Sequence, residues 1–261
     1  MADYLLIAAV ALLASGLTLF SGFGLGTLLM PVLALLFPLP LAIAATAVVH
    51  LLNNLFKLAL VGRHADRAVV LRFGLPAALG AIAGARLLIA LAELPVLFRY
   101  EFLGATREVE GIGFAVGLLI IAFALLEMSP RLERMNVPAR LLPLGGLLSG
   151  FFGGLSGNQG ALRAAFLIRA GLDKQAFVGT SVVCSVIVDT LRLALYGAAF
   201  FAPIAAAGGS LLPATAVAVV AAFSGAFIGV RLLSKVTLRF VQLAVAALML
   251  VVGGGLATGL L

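Results

Sequence analysis

The sequence predicts an all-α polytopic membrane protein built from two inverted repeats. Three observations support this prediction. Of the 261 residues, 64% are hydrophobic and only 10% are charged, a composition too apolar for a soluble domain. Apolar runs of membrane-spanning length follow one another along the whole chain. Short sequence patterns from the first half recur in the second half.

Charge and cysteine content exclude several other classes of protein. The formal net charge is +7, but the basic residues lie in short connections and not in one stripe or tail. They therefore indicate membrane orientation, and no nucleic-acid partner is expected. The single cysteine, Cys184, excludes a disulfide framework and a multi-cysteine metal site, and no metal or cofactor is expected. The N-terminal apolar run lacks a preceding basic region and is longer than that of a signal peptide, so we expect it to remain in the mature chain.

The lengths of the apolar runs define the predicted helices. Crossing a hydrocarbon layer of ~30 Å takes ~20 helical residues. Six segments fit this length: 39–61, 70–92, 111–128, 174–197, 212–231 and 239–259. Two others, 4–37 and 141–171, are too long for one crossing and are broken by glycine-rich stretches at 21–26 and 150–160. We expect each of these two to be re-entrant or to consist of two half-helices.

Lysine and arginine positions predict the sidedness, because cytoplasmic loops carry an excess of these residues. Three connections are predicted to be cytoplasmic on this basis. The first has Lys57, Arg63, Arg67 and Arg72 in or beside it, the second has Arg131, Arg134 and Arg140, and the third has Arg231, Lys235 and Arg239. The connections 93–110 and 198–211 are predicted to be outside. Segment 4–37 then begins and ends outside, segment 141–171 begins and ends inside, and both termini are periplasmic.

An internal repeat divides the chain into two halves, residues 1–134 and 135–261. GAIAGARLL at 80–88 recurs as GAFIGVRLL at 225–233, and ATAVV at 45–49 recurs as GTSVV at 179–183. Each half has one broken segment followed by three crossings, and the predicted sidedness makes the halves inverted with respect to each other. Inverted repeats with paired broken helices near the midplane are a recurring design of secondary transporters.

These patterns resemble the sulfite exporter TauE/SafE family of membrane anion transporters. The resemblance lies in SGFGLGTLLMPVL at 21–33, its counterpart SGFFGGLSGNQGALRAAFL at 149–167, and the repeated G-A-x-x-G-x-R-L-L, and it covers almost the whole chain. It implies a secondary transporter of sulfite, a sulfonate or another sulfur-containing or organic anion in a bacterial inner membrane. The second broken segment differs from the usual glycine-rich form because it carries Asn158 and Gln159.

The two breaks are the predicted substrate site. A broken helix leaves unpaired backbone N–H groups at the positive end of its dipole, where an anion binds readily. We expect the half-helices that start near Gly24 and Gly26 and near Asn158, Gln159 and Gly160 to face each other. Arg163 lies one turn beyond Gln159 and presents a fork of donors suited to a sulfonate or carboxylate. The alternative is that Arg163 reaches along the segment to water or pairs with a backbone carbonyl.

A second polar set lies on the predicted crossings. His50, Asn53, Asn54 and Lys57 follow the 3 and 4 spacing of one helix face, so His50 and Asn54 join the predicted substrate site. Because a free histidine side chain titrates near neutral pH, His50 is a candidate proton carrier, or else a neutral histidine bonded between helices. Asp189, on the equivalent segment, either pairs with Arg192 three residues on or is a second proton carrier.

We expect a transporter that acts by alternating access and is not an enzyme. Two other functional classes are alternatives to it. A channel would show unsaturable conductance. An intramembrane serine protease is suggested by GLSG at 154–157, but a nucleophilic Ser156 needs a nearby base, and both histidines, His50 and His64, lie upstream. The expected partners are a small anion and the lipid bilayer, and the sequence leaves a homodimer open.

Overall fold

A computed structural model of the chain describes residues 2–21, 25–129, 138–206, 208–232 and 238–261. The first broken segment forms α1 (Ala2–Ser21) and α2 (Leu25–Ala34), and the three crossings of the first half form α3 (Leu39–Val61), α4 (Arg67–Ala92) and α5 (Gly111–Met128). A π-helical turn at Val70–Gly74 interrupts α4, and a 3-10 turn at Gly62–His64 precedes it. The segment boundaries of α3 and α5 agree with the sequence prediction.

The second half repeats this order of elements. Its broken segment forms α6 (Leu142–Ser156) and α7 (Gly160–Leu167), flanked by 3-10 turns at Ala139–Leu141 and Ile168–Ala170. The crossings form α8 (Lys174–Ala206), α9 (Gly208–Leu232) and α10 (Leu238–Thr258). By length and apolarity, four helical stretches of the described chain could each cross a membrane, namely Leu39–His64, Arg67–Ala92, Lys174–Ala199 and Gly209–Ile228.

Two features differ from the sequence prediction. The connection 198–211 was expected to be a loop, but α8 continues to Ala206 and α9 starts at Gly208. Pro203 and the glycines at 208 and 209 indicate a break in this connection, yet α8 continues through Pro203. The connection 93–110 forms a β-hairpin, with β1 (Val96–Phe102) antiparallel to β2 (Ala105–Glu110), which an all-α prediction omits.

The helix packing links the two halves of the chain. The most extensive packing joins α4 to α6 and α1 to α9, and further contacts join α5 to α10 and α3 to α8. Each of these pairs combines one helix from residues 1–134 with one from 135–261. A hydrophobic cluster that includes Ile43, Val116, Ile120 and Met249 fills the space between α3, α5 and α10. Large apolar side chains such as Leu75, Leu79 and Val220 are exposed on the outer helix faces.

Glycine allows the backbones of α4 and α6 to touch. A Cβ atom on Gly84 would lie 1.9 Å from the carbonyl oxygen of Phe151, and one on Gly150 would lie 1.9 Å from that of Ala77. Small residues at four-residue intervals allow membrane helices to approach each other this closely. The same contact occurs between α9 and α1, where a Cβ on Gly225 would lie 2.1 Å from the Leu12 carbonyl oxygen. The fold therefore holds the end of α6, and the break that follows it, against α4.

Candidate functional site

The break in the second half lies against the start of α2. Helix α6 ends at Ser156, and Gly157 adopts a left-handed conformation with φ of 83°, which glycine reaches without strain. Helix α7 begins three residues later at Gly160. Gly26, in the first turn of α2, is so close that a Cβ atom there would lie 3.3 Å from the Gly157 carbonyl oxygen. The start of α2 thus lies against the break that separates α6 from α7, while Gly24 lies outside the described residues.

Asp189 of α8 is the centre of a buried polar network. One carboxylate oxygen lies 2.6 Å from His50 Nδ1 and accepts a hydrogen bond from Asn54 Nδ2 at 3.0 Å. The other oxygen accepts from Gln159 Nε2 at 3.0 Å and from Arg192 Nε at 3.0 Å. Because a carboxylate offers about four acceptor positions, these donors occupy Asp189 fully. The predicted pair of Asp189 with Arg192 is confirmed, with Arg192 Nη2 at 2.8 Å.

Arg163 has a different environment from Arg192. Its Nε donates to Ser181 Oγ at 2.7 Å and its Nη1 donates to Gln159 Oε1 at 3.0 Å. Both partners are neutral, and among the described residues no carboxylate lies within ion-pair distance of the Arg163 guanidinium. The residue is 7% exposed, so its charge is held inside the protein and is balanced by hydrogen bonds alone. This arrangement differs from the alternative in which Arg163 extends to water.

Gln159 connects these two charged groups. Its amide nitrogen donates to Asp189 and its amide oxygen accepts from Arg163, so its orientation is fixed by both neighbours. Its backbone carbonyl accepts from Ser149 Oγ of α6 at 3.1 Å, which ties the break to the helix before it. Gln159 thus joins the carboxylate at Asp189 to the guanidinium at Arg163 through one side chain.

Two buried polar atoms next to the break have no protein partner. Asn158 Nδ2 donates to Ser156 Oγ at 3.2 Å, but Asn158 Oδ1 is unbonded. Thr46 Oγ1 of α3, near Gly26, is also unbonded. Buried polar groups in native proteins are nearly always bonded, so unbonded groups beside a helix break indicate space for a ligand or water.

The structure therefore brings most of the predicted site residues together. His50, Asn54, Gln159, Arg163 and Asp189 belong to one connected network, and Gly26, Asn158 and Gly160 line the adjoining breaks. Asn53 lies outside that network and accepts from Ser15 Oγ of α1 at 3.2 Å. Among the described residues, no group of three His, Cys, Asp or Glu side chains is placed to hold a metal ion.

Sequence reasoning missed Tyr196. Its hydroxyl donates to the carbonyl oxygen of Gly154, and Arg192 Nη1 donates to that of Gly153 at 3.2 Å. Both carbonyls belong to the last turn of α6, which lacks the intrahelical partners of a longer helix. The signal was present in the sequence, because Tyr196 follows Asp189 by seven residues and Arg192 by four, on one face of α8. Polar side chains of α8 thus support the break as well as the network.

A model of one protein family matches nearly the whole chain. The family is described as sulfite exporter TauE/SafE, and the match covers residues 7–256. The chain belongs to the sulfite exporter TauE/SafE family. No curated protein matches the sequence significantly. Membership in the TauE/SafE family, together with the apolar helices, identifies a multi-pass membrane transporter of sulfur-containing anions and, at this general level, a protein that is not an enzyme.

The hydrogen bonds of Ser156 agree with that assignment. Its hydroxyl donates to the Phe152 carbonyl at 3.2 Å and accepts from Asn158, while His50 Nδ1 is bonded to Asp189. A serine nucleophile requires a base within hydrogen-bond reach. In this TauE/SafE chain the partners of Ser156 are those of a helix-terminal serine.

Proposed function

We infer that this chain is a secondary transporter that moves sulfite, an organosulfonate or a related anion across the inner membrane by alternating access, with a coupled proton. One observation carries the inference. Among the buried residues described, three cationic side chains, Lys57, Arg163 and Arg192, accompany the single carboxylate of Asp189. Burying unbalanced charge is costly, so an excess of positive charge beside two helix breaks favours an anionic guest.

The anion would bind where the uncompensated charge and the breaks coincide. Arg163 supplies the charge, the start of α7 at Gly160 supplies backbone N–H groups and the positive end of a helix dipole, and α2 supplies the same beside Gly26. Oxyanions of sulfur accept several hydrogen bonds at once, which matches a fork of guanidinium donors next to backbone donors. Gly24, Asn158 and Asn54 complete the proposed site.

His50 is the better candidate for the proton carrier. Its Nδ1–H donates to ionised Asp189, and this hydrogen bond is the same whether the imidazole is neutral or carries a second proton on Nε2. Protonation of Asp189 itself would remove acceptor capacity from a carboxylate that already has four donors. A proton on His50 adds positive charge to the network that holds Arg163. Proton and anion would therefore bind with positive cooperativity and move in the same direction.

Alternating access is supported by the reciprocal packing of the two proposed repeats. If the halves 1–134 and 135–261 are equivalent, α1 corresponds to α6 and α4 to α9, and the pairs α4 with α6 and α9 with α1 are then the same contact made twice. The pairs α3 with α8 and α5 with α10 join equivalent helices. Such an arrangement permits one set of helices to rock against the other around a site at the breaks.

Anion flux into proteoliposomes tests this function. The purified protein is reconstituted with sulfite, a short alkylsulfonate or a carboxylate of similar size outside, with and without an inwardly directed proton gradient. We expect saturable uptake that the proton gradient accelerates. Conductance that rises linearly with concentration and ignores the proton gradient would instead show a channel. Empty liposomes and the Arg163→Gln protein serve as the two controls.

A further inference from the structure

The hairpin between α4 and α5 has one aromatic face and one charged face. Its antiparallel register pairs Phe98 with Val109, Tyr100 with Arg107 and Phe102 with Ala105, and cross-strand partners point to the same side of a sheet. The rings of Phe98, Tyr100 and Phe102 follow one another at 6.4 and 6.5 Å between centroids. On the opposite side, Arg99 Nε lies 2.8 Å from Glu108, and Thr106 donates to Glu101 at 2.6 Å.

The apolar side chains of β1 and of the hairpin tip are exposed, whereas Val109 of β2, opposite Phe98, is buried. The side chains of Phe98 and Phe102 are 53% and 44% exposed, and Leu103 at the tip is 88% exposed. Leu94, which precedes the hairpin, is also exposed. An exposed aromatic and aliphatic surface of this kind indicates an interaction site. The opposite face of the hairpin is charged and is therefore the face that contacts water.

Contacts with α10 fix the hairpin at the level where the membrane helices end. The Tyr100 hydroxyl donates to the carbonyl oxygen of Thr258, the last residue of α10, at 2.6 Å. Gly259 lies so close to β2 that a Cβ atom there would be 2.1 Å from the Glu108 carbonyl oxygen. Helix α5 starts at Gly111, directly after β2. The hairpin therefore lies at the ends of three membrane helices, which is the depth of the lipid headgroups.

Arg107 adds a cationic group to the aromatic face. It lies opposite Tyr100 in the register, it is partly buried, and its Nε is buried without a hydrogen-bond partner. A guanidinium whose Nε–H is unused, next to aromatic rings, suits a phosphate group. Lipid headgroups provide phosphate at this depth, and aromatic rings of membrane proteins are enriched there.

We propose that the aromatic face of this hairpin binds phospholipid, with Phe98, Phe102 and Leu103 against the upper part of the acyl chains and Arg107 at a lipid phosphate. The face carrying Arg99, Glu101 and Glu108 remains in water. The depth is limited, because the outer edges of a two-stranded sheet have unpaired N–H and C=O groups that hydrocarbon cannot satisfy. The hairpin then lies along the membrane surface and ties the α4, α5 and α10 ends to the lipid.

Tryptophan fluorescence tests the proposal directly, because the chain contains no tryptophan. Phe102→Trp and Glu101→Trp place one probe on each face at adjacent positions, and each protein is reconstituted into phosphatidylcholine vesicles. With brominated acyl chains, we expect the probe at 102 to be quenched several-fold more than the probe at 101. With aqueous iodide, we expect the reverse order. Equal quenching of both probes by iodide, with none by bromine, would overturn the proposal.

A second copy of this chain is the competing occupant of the face. In that case the probe at 102 would be shielded from both quenchers, and dilution of the protein in lipid would expose it, which would also overturn the proposal. The role of Arg107 is tested by adding an anionic phospholipid to the detergent-solubilised protein. We expect the unfolding temperature to rise for wild type and for Arg99→Gln, and to rise by less than half as much for Arg107→Gln. Equal rises in both variants would remove Arg107 from the lipid contact.

Discussion

Arg163 and Arg192 are both buried, but their surroundings give them different roles. Arg192 lies against Asp189 and also donates to the end of α6, so its charge is balanced and its position is structural. Arg163 has only neutral partners, Gln159 and Ser181. A buried charge without a counter-charge is the group that an anion would stabilise most. Of the two, Arg163 is therefore the residue expected to govern anion affinity.

Arg163→Gln should weaken anion binding without preventing folding. A hydrogen bond to a charged group contributes about 1.5–3 kcal/mol, which corresponds to a roughly 10- to 100-fold increase in Kd. The measurement is a ligand-dependent thermal shift with sulfite and short sulfonates. Arg169→Gln, an exposed arginine six residues further on, is the matched control and should bind as wild type does. A Kd for Arg163→Gln within about 2-fold of wild type would remove this side chain from the site.

His50→Gln should abolish the pH dependence of anion binding. In the wild type, lowering the pH adds a proton to His50 and a positive charge near Arg163, so anion affinity should rise as the pH falls. Linkage to a single proton limits this rise to about 10-fold per pH unit. The variant should bind a short alkylsulfonate, which stays ionised across the pH series, with the same affinity at every pH. His64→Gln, which changes the other histidine, should keep the wild-type slope, and retention of the slope in His50→Gln would point to another proton carrier.

At the scale of elements, the sequence could predict the helices but not every connection. The boundaries of α3 and α5 were predictable because Pro38 and Pro40 mark the start of one and charged residues flank the other. The continuation of α8 to Ala206 was not, because Pro203 and the glycines at 208 and 209 indicate an earlier end of the helix. The hairpin was missed because the length of an apolar run identifies membrane-spanning helices only. It gives no information about the structure of the short connections at the membrane surface.

In the candidate site, too, contacts between residues close in sequence were predictable, and contacts between residues far apart in sequence were not. The polar face of α3 follows from spacing, as does the pair of Asp189 with Arg192. The approach of His50 to Asp189, 139 residues apart, depends on the packing of α3 against α8. The position of Gln159 between two charged groups depends on the left-handed turn at Gly157. Neither the contact of His50 with Asp189 nor the placement of Gln159 could be predicted from a sequence pattern.

The contact between α4 and α6 should depend on its glycines more than on its apolar side chains. Gly84→Ala would place a methyl group 1.9 Å from the Phe151 carbonyl oxygen, so the helices must separate. Overpacking of this kind typically costs about 1–3 kcal/mol, and thermal unfolding in detergent should show a lower midpoint. Gly254→Ala in α10, where nothing lies within 4 Å of the added methyl, is the control and should be neutral or slightly stabilising. Equal effects of the two substitutions would show that the close approach is not what stabilises this pair.

For the molecule as a whole, the reciprocal helix pairs and the proposed inverted repeats predict on which side of the membrane each connection lies. Helices that correspond between the halves must run in opposite directions through the membrane, so corresponding connections lie on opposite sides. The hairpin and the end of α10 share one side through the bond from Tyr100 to Thr258. The connection between α3 and α4, which carries Arg63, lies one crossing away from the hairpin. Together these relations give an orientation that one labelling experiment can test.

Single-cysteine labelling should place the hairpin outside and the α3 to α4 connection inside. The only native cysteine, Cys184, is buried, so Cys184→Ala gives a background in which Thr106→Cys and Arg63→Cys are each exposed reporters. A membrane-impermeant thiol reagent added to spheroplasts should label position 106 at once and position 63 only after lysis, because the basic connections are retained in the cytoplasm. Leu261→Cys should behave as position 106 does. The reverse pattern would invert the orientation, and labelling of 63 and 106 from the same side would contradict the crossing of α4.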